Sequence, residues 1–265
     1  MSMDLVKTIC PFCGVGCGIC LKVNKQGQLL SVEPQQSHPV SQGKLCDKGW
    51  STAYAINSDQ RLTQPLKRIN KDFYPISWQE ALTIVADELT AIIDESGSQA
   101  VGVISSARAS NEDNYAAQKF ARAVLKTNNI DHCARICHSP TVAGLKQSLG
   151  SGAMTNSAKD IFETDLMLVF GADPTENHSI LGGHIMQAHA QGTELIVVDP
   201  RITRLAKLTP MHLQLKLGSN IALINALLHV IIKEQWFDQS FVESRTEGFE
   251  QLKKHVKNIN QQICK

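Results

Sequence analysis

The chain has 265 residues, of which 43% are hydrophobic and 19% are charged, and its formal net charge is +1. This length allows a substantial core and one or two domains. No stretch reaches the ~20 apolar residues of a membrane-spanning helix, so no span is predicted. The absence of a Lys/Arg run argues against nucleic-acid binding through a basic face.

The first nine residues contain neither an apolar signal core nor an Arg-Arg pair, and a cysteine follows at position 10. We therefore expect a cytoplasmic protein. Thiols stay reduced in that compartment, so the eight cysteines indicate metal ligands or catalysis rather than disulfides. Five of them lie within residues 10–46, and the others are Cys133, Cys137 and Cys264.

The predicted elements begin with short β-like runs over 21–23 and 29–32, typical of a small domain organised by a metal centre. Residues 65–71 are predicted to be a connecting segment. Ser77 and Glu80 form a capping-box pattern that opens a helix over 78–95, and Gly97 ends it.

The remaining elements alternate between apolar strands and helices, which predicts an α/β fold with mostly buried parallel strands. They are strand 100–105, helix 111–126 with Ser110 and Asp113 at its start, strand 166–170, a helix near 178–191, strands 195–198 and 213–217, and helix 220–235.

The N-terminal cysteines follow the spacing C-x2-C-x3-C-x28-C, formed by Cys10, Cys13, Cys17 and Cys46. Three close thiolates with a distant fourth favour an iron–sulfur cluster. A structural zinc site is the alternative, although zinc ribbons usually carry two C-x2-C pairs. Cys20 is a further candidate ligand, but its apolar neighbours favour a buried strand cysteine.

Two other features have both an ordinary and a functional interpretation. Cys137 follows Arg135 and precedes His138, which suits a metal-binding thiolate beside a proton acceptor. A packed cysteine next to a surface histidine is the ordinary alternative. Lys48, two residues after the last cluster cysteine, can equally be a solvated loop lysine.

Polar residues also follow the predicted strands in the second half of the chain. They lie in Gly171-Ala-Asp173, Asp199-Pro-Arg201 and Gly218-Ser-Asn220. Ligands bind beyond the carboxyl ends of parallel strands, so a nucleotide site is expected there. A nicotinamide-binding fold would need G-x-G-x-x-G, which Gly-Ala-Asp-Pro does not supply. The alternative to a nucleotide site is that these Asp and Asn residues are ordinary helix caps.

Taken together, the cysteine motif, Lys48 and Ala-Arg-Ile-Cys-His-Ser-Pro at 134–140 resemble the catalytic subunit of molybdenum- or tungsten-pterin formate dehydrogenases, within the molybdopterin oxidoreductase superfamily. The resemblance extends over essentially the whole chain. It implies a [4Fe–4S] cluster, a Mo- or W-bis(molybdopterin guanine dinucleotide), formate as substrate, and an electron-transfer protein or subunit as partner. Within the superfamily, the Cys137-His138 pair favours formate dehydrogenases over the related nitrate reductases, because the nitrate reductases lack the histidine.

The resemblance also assigns roles to residues. Cys137 would ligate the metal where some relatives have selenocysteine, His138 would take the proton of formate, and Lys48 would lie between cluster and pterin. At position 173 the resemblance leads us to expect asparagine, whereas this chain has Asp173. The implied pterin-dinucleotide contacts are Arg108, Gly171, Asp173, Glu176, Asn177, Asp199, Arg201, Gly218 and Asn220.

The expected domains are a cluster domain over 1–58, an α/β segment over 59–132 and a truncated Rossmann-like pterin-dinucleotide domain over 133–265. Family members continue well beyond this length, so the chain is expected to be a fragment, a truncated product or a piece of a split subunit, and inactive alone. Other possibilities are a cytoplasmic nitrate reductase or a non-catalytic electron-transfer module.

Overall fold

A computed structural model describes residues 4–257 of the chain, which leaves Cys264 outside the described part. The described residues form two compact units. The first extends to Asp160 and includes Asn177–Leu181, and the second comprises Ile161–Glu176 and the residues from Gly182 onward. The division into domains at 58/59 and 132/133 stays a prediction.

The first unit begins with an antiparallel sheet that carries the cysteine loop between two of its strands. Strands β1 (Asp4–Ile9), β2 (Gly18–Val23) and β3 (Leu29–Pro34) are ordered β1-β2-β3. Ile19 and Val32 are buried in the same apolar cluster as Cys10 and Cys17. The sheet core therefore lies directly beneath the cysteines. Two short helices follow, α1 (Asp47–Trp50) and α2 (Thr52–Ile56).

The segment expected to be a connector is a β-hairpin, so that prediction is wrong. Strands β4 (Leu66–Ile69) and β5 (Asp72–Pro75) pair in antiparallel register around a two-residue turn. Asn70 lies in this turn with a φ of +59°. Asparagine adopts that conformation more readily than most residues, and Asn70 was the overlooked signal.

The next two helices begin at their predicted caps. Helix α3 (Trp78–Ser96) starts where Ser77 Oγ accepts a hydrogen bond from the Glu80 amide at 3.1 Å. Helix α4 (Asn111–Lys119) has the reciprocal arrangement, because Ser110 and Asp113 each accept from the other's amide. It continues as a π-helix over Phe120–Val124.

A short parallel sheet completes the regular structure before the cysteine–histidine pair. Strands β6 (Val103–Ser105) and β7 (Ile130–His132) pair in register from Val103 opposite Ile130. The strand expected over 100–105 is shorter than predicted, because Ser98–Ala100 forms a 3-10 turn. Helices α5 (Ala134–Cys137) and α6 (Ser139–Leu149) follow β7.

The second unit contains a parallel sheet with β9 at its centre. Its strands are β8 (Leu166–Phe170), β9 (Glu194–Val198) and β10 (Met211–Leu213), in the order β10-β9-β8. Leu195 and Val197 of β9 pack with Leu205 and Ala206 in a buried cluster. The remaining helices, in chain order, are α7 (Pro174–Asn177), α8 (Ser179–Ala190), α9 (Asn220–Lys233), α10 (Gln239–Arg245) and α11 (Phe249–Val256).

Strand β10 ends earlier than the predicted strand over 213–217. Its last residue, Leu213, pairs with Val198, where β9 also ends, so the chain has no strand to pair with beyond that point. The parallel strands separated by helices confirm the α/β fold class. No helix within residues 4–257 is both long and apolar enough to cross a membrane.

Candidate functional site

The four motif cysteines line one cavity of the first unit. The Cys10 amide donates to the Cys17 carbonyl oxygen at 2.8 Å, and the Gly16 amide donates to the Cys13 carbonyl oxygen at 3.3 Å. Gly16 has a φ of +65°, which a residue with a Cβ adopts only at a cost. The loop between β1 and β2 thus wraps tightly and turns three thiols toward Cys46.

The acid–base behaviour of the thiols reflects this convergence. Burial, with a smaller contribution from charge on Cys10, Cys13 and Cys46, raises the pKa of Cys17 to about 11. Burial also raises the pKa of Cys10, partly offset by a backbone hydrogen bond from Phe12. Cys10 and Cys17 therefore resist ionisation in this buried setting, as expected of soft ligands gathered for a metal that replaces their protons.

This donor set fits a [4Fe–4S] cluster, which takes four cysteine thiolates. Cys10 and Cys17 are buried, whereas Cys13 and Cys46 are partly exposed. Cys20 is also buried, but it lies on β2 outside the lining of this cavity. The cavity lining thus contains the four cysteines of the sequence motif and not Cys20.

Two predicted pterin-side residues line the same cavity, namely Lys48 and Asn177, together with Ser179 and Ile180. Lys48 is exposed on α1, whose first residue follows Cys46. Ile180 is buried against the cysteine cluster. The structure thus groups Asn177 with the cysteines, and not with the acidic residues at the strand ends with which the sequence grouped it.

The loops that carry Arg108 and Cys137 leave the same edge of the β6–β7 sheet. Ser105 and His132, at the ends of these parallel strands, are register partners. The Ala107 amide donates to Cys133 Sγ at 3.4 Å, which joins one loop to the other. The Asn114 side-chain amide, on α4, donates to the backbone carbonyl oxygen of Ser106 in the first loop at 3.1 Å.

The cysteine–histidine pair itself is solvent-accessible. Cys137 ends α5, and His138 separates α5 from α6. Both side chains are exposed. Arg135, expected to favour the Cys137 thiolate, is paired instead with Asp131 at 2.6 Å, and this contact lowers the pKa of Asp131. The Asp131 carboxylate therefore partly offsets the positive charge that Arg135 places near Cys137.

The second unit brings four of the predicted nucleotide contacts together at the carboxyl ends of β8 and β9. The Gly171 amide donates to the Val198 carbonyl oxygen at 2.8 Å. Asp199 is 4% exposed. Its carboxylate accepts from the Arg201 amide at 2.8 Å, and the Arg201 guanidinium lies 3.6 Å from Asp199 and 3.8 Å from Asp173.

The same edge offers both room and suitable polar groups for a nucleotide. Gly171 has a φ of +59°, and a Cβ there would meet nothing within 4 Å. Carboxylates accept from ribose hydroxyls and base N–H groups, and a guanidinium donates to phosphate. This chemistry fits the nucleotide arm of a pterin cofactor.

The other predicted contacts of the second unit, Glu176, Gly218 and Asn220, are not part of this ion-pair group. Glu176 is exposed on α7, and its amide donates to the Asp173 carbonyl oxygen at 3.2 Å. Gly218, with a φ of +83°, turns the chain from the loop after β10 toward Asn220, the first residue of α9.

Sequence reasoning missed Thr175 and Gly182, which shape the loop after β8. Thr175 Oγ1 donates to the Asp173 carboxylate at 2.7 Å. A Cβ on Gly182 would come within 2.8 Å of the Thr175 backbone. A glycine inside a helix costs about 1 kcal/mol relative to alanine, so the Gly182-Gly183 pair was the available signal of close packing.

Comparison with known proteins identifies the family. Residues 3–58 match the molybdopterin oxidoreductase Fe4S4 domain, and residues 61–264 match the molybdopterin oxidoreductase family. A solved structure, acetylene hydratase from Pelobacter acetylenicus, superposes with a TM-score of 0.77 at 25% identity, over 97% of this chain and 36% of that one.

Curated relatives are more similar in sequence. The chain is 48% identical to the F420-dependent formate dehydrogenase subunit alpha of Methanocaldococcus jannaschii, over 97% of the chain and 37% of that protein. It is 46% identical to formate dehydrogenase H of Escherichia coli, over 96% of the chain and 36% of that protein. The chain thus spans just over a third of the length of these relatives. Because the two family matches together extend over nearly all of its length, the chain belongs to the molybdopterin oxidoreductase family.

Proposed function

We propose that this chain is the N-terminal part of a formate dehydrogenase catalytic subunit, in which formate is oxidised to carbon dioxide. The observation that carries the proposal is the exposed Cys137–His138 pair after β7, in a chain 46–48% identical to formate dehydrogenase alpha subunits. The reaction converts one formate into one carbon dioxide, one proton and two electrons.

The fold alone does not select this reaction. The structural neighbour is named a hydratase, and its identity to this chain is 25%. The formate dehydrogenases are nearly twice as similar over the same part of the chain. A nitrate reductase is disfavoured by His138, since the resemblance assigns a non-histidine residue to that position in those enzymes.

In this proposal, the bound molybdenum or tungsten pterin supplies the two-electron chemistry. The Cys137 thiolate is a ligand of the metal, and the His138 imidazole accepts the proton. Cys10, Cys13, Cys17 and Cys46 would hold the cluster, which would supply one-electron transfer chemistry. Lys48 places a positive charge beside that cavity, where it favours electron-rich groups.

The pterin-dinucleotide arm is assigned to the strand-end residues. Asp173 and Asp199 accept hydrogen bonds from the nucleotide, Arg201 donates to phosphate, and Gly171 leaves room for close approach. Arg108, Glu176, Asn177, Gly218 and Asn220 are further proposed contacts. Asn177 lines the cysteine cavity, so its contact would lie on the cluster side of the cofactor.

Electron transfer out of the cluster requires a redox protein or subunit as partner. We also infer a cytoplasmic location, because a compartment that keeps thiols reduced preserves the cluster ligands and Cys137.

The decisive experiment is a substrate comparison on the protein in its full natural length, purified without oxygen and with Mo, W and Fe contents measured. Formate should reduce a viologen dye, whereas nitrate should not oxidise the reduced dye at a comparable rate. Nitrate reduction without formate oxidation would replace the proposal with the nitrate reductase alternative. Iron without Mo or W would favour the electron-transfer module.

A further inference from the structure

Two side chains after β9 hold the turn that carries Asp199 and Arg201. His212, in the middle of β10, places Nε2 2.8 Å from the Asp199 carbonyl oxygen. Gln214, two residues later, donates from its side-chain amide to the Pro200 carbonyl oxygen, also at 2.8 Å. Side chains two residues apart in an extended segment point to the same side. The two side chains therefore form hydrogen bonds with consecutive carbonyl groups of one turn.

The chemistry of these contacts fixes their direction. A carbonyl oxygen only accepts hydrogen bonds, so His212 must donate from Nε2 and Gln214 from its NH₂ group. Neutral imidazole with its proton on Nε2 and imidazolium both meet this requirement. The contact therefore does not depend on the charge of the histidine.

The turn needs such support because of what it carries. The Asp199 carboxylate is almost fully buried and is directed by the Arg201 amide. The Arg201 guanidinium, in contrast, is largely exposed, and lies more than 3.5 Å from either carboxylate. Contacts of that length at an exposed side chain contribute little rigidity. The backbone of residues 199–201 must set where both charged groups point.

We propose that His212 and Gln214 are positioning residues for the pterin-dinucleotide site: by holding the carbonyl groups of Asp199 and Pro200, they aim the Asp199 carboxylate and the Arg201 guanidinium at the nucleotide. This inference rests on the proposed function. It assigns to β10, whose side chains need not touch the cofactor, a specific part in cofactor retention.

A second histidine of the same unit provides a matched control. His189 also places its ring nitrogens near carbonyl oxygens, 2.9 Å from that of Thr193 and 3.2 Å from that of Leu208. Thr193 immediately precedes β9, so this contact lies at the opposite end of the strand from Asp199. Its loss should weaken the fold without disturbing the strand end that binds the nucleotide.

The test uses the protein in its full natural length, in four forms: wild type, His212→Leu, His212→Gln and His189→Leu. Each is dialysed at several protein concentrations. Retained cofactor is measured as guanosine monophosphate released by hydrolysis, with iron content and thermal unfolding recorded in parallel. Gln214→Ala, a fifth form, removes the hydrogen bond to the Pro200 carbonyl oxygen independently of His212.

His212→Leu should retain the cofactor about fivefold or more weakly, because a lost hydrogen bond leaves a buried carbonyl without its donor. His212→Gln keeps a donor near the same place and should restore most of the retention. His189→Leu should keep its cofactor, even if its unfolding temperature falls. Iron should remain unchanged throughout, since the cluster ligands lie in the other unit.

The possible failures are distinguishable. Wild-type protein that contains iron but no guanine dinucleotide would overturn the proposed function itself. Normal retention by His212→Leu would overturn only the positioning role. Equal loss in His212→Leu, His212→Gln and His189→Leu would also overturn it, because a general weakening of the unit would then explain the result.

Discussion

The Cys10 amide and the Cys17 carbonyl oxygen are joined by a hydrogen bond of 2.8 Å across the mouth of the cysteine loop. The bond closes the loop at its first and last cysteines, where β1 ends and β2 begins, so backbone geometry brings these two residues together. Cys46 must come from a separate segment, at the start of α1. Of the four proposed ligands, Cys46 is thus the one that this loop does not supply.

We expect anaerobically prepared protein to contain about four irons per chain, as a single cubane cluster requires. Cys46→Ser should lose most of this iron, whereas Cys20→Ser should keep it, because Cys20 lies on β2 outside the cavity lining. Iron analysis and the cluster absorbance distinguish the two. Loss of iron from Cys20→Ser would show that the ligand assignment is wrong.

The metal-free protein should become less stable as the pH rises from about 9 to 11. Burial raises the pKa of Cys17 from 9.0 to about 11. The folded state therefore holds this proton more tightly than the unfolded chain. The resulting stabilisation is complete below pH 9 and is lost as the pH rises through 11.

Urea unfolding of reduced, metal-free wild type and Cys17→Ala checks this at several pH values between 8 and 11. The variant lacks the titrating thiol, so its stability should fall less steeply across the interval. Comparing the two slopes cancels the titration of lysines and tyrosines. Parallel slopes would contradict the assignment of the shift to Cys17.

Substitution by alanine should have opposite effects on the free energy of unfolding at Gly182 and at Gly183. A Cβ on Gly182 would lie 2.8 Å from backbone atoms of Thr175, whereas a Cβ on Gly183 would meet nothing within 4 Å. Gly182→Ala should destabilise the protein by about 1–3 kcal/mol through overpacking. Gly183→Ala should stabilise it by about 0.5–1 kcal/mol through helix propensity. Denaturant unfolding of both variants tests the close approach of Gly182 to the Thr175 backbone. Similar changes in the free energy of unfolding for the two variants would contradict it.

Local signals predicted the starts of helices α3 and α4 well, because their caps are encoded by residues adjacent in sequence. Ser77 and Ser110 each accept a hydrogen bond from the amide three residues later, as their patterns indicate. Strand limits were less predictable. The end of β10 depends on where β9 ends, and pairing between segments is not a local property.

In the candidate site too, features set by neighbouring residues were predictable from the sequence, whereas contacts between distant segments were not. The four cysteines of the spacing motif line one cavity, as their spacing indicates, and their role as cluster ligands stays a prediction. The placement of Asn177 beside the cysteines was not predictable, since it depends on Ile180 packing in their apolar cluster. The support of the Asp199 turn by His212 likewise required the register of β10 against β9.

The 265-residue chain alone should not oxidise formate. It spans only 36–37% of the length of the formate dehydrogenases that it matches, so it contains little more than a third of such a subunit. Reconstituted chain with a full complement of iron should show dye reduction no faster than a formate-free blank. Turnover above that blank would mean that the remaining two thirds are dispensable.

In the protein of full natural length, Cys137→Ala and His138→Ala should fail in different ways. Cys137→Ala removes a soft ligand, so the electronic spectrum of the Mo or W centre should change. Cys133→Ala is its control, because it removes a thiol one helical turn away and should leave the metal spectrum unchanged. An unaltered spectrum in Cys137→Ala would exclude the ligand role.

His138→Ala should keep the metal spectrum and lose turnover, because the exposed imidazole is the proposed proton acceptor. General acid–base groups contribute about 100- to 10,000-fold in rate, so a loss of that order is expected. If Cys137 and His138 were merely a surface pair, both variants would turn over normally per folded molecule. Formate turnover normalised to Mo or W content separates these cases: near-normal turnover in His138→Ala would assign the proton transfer to another group.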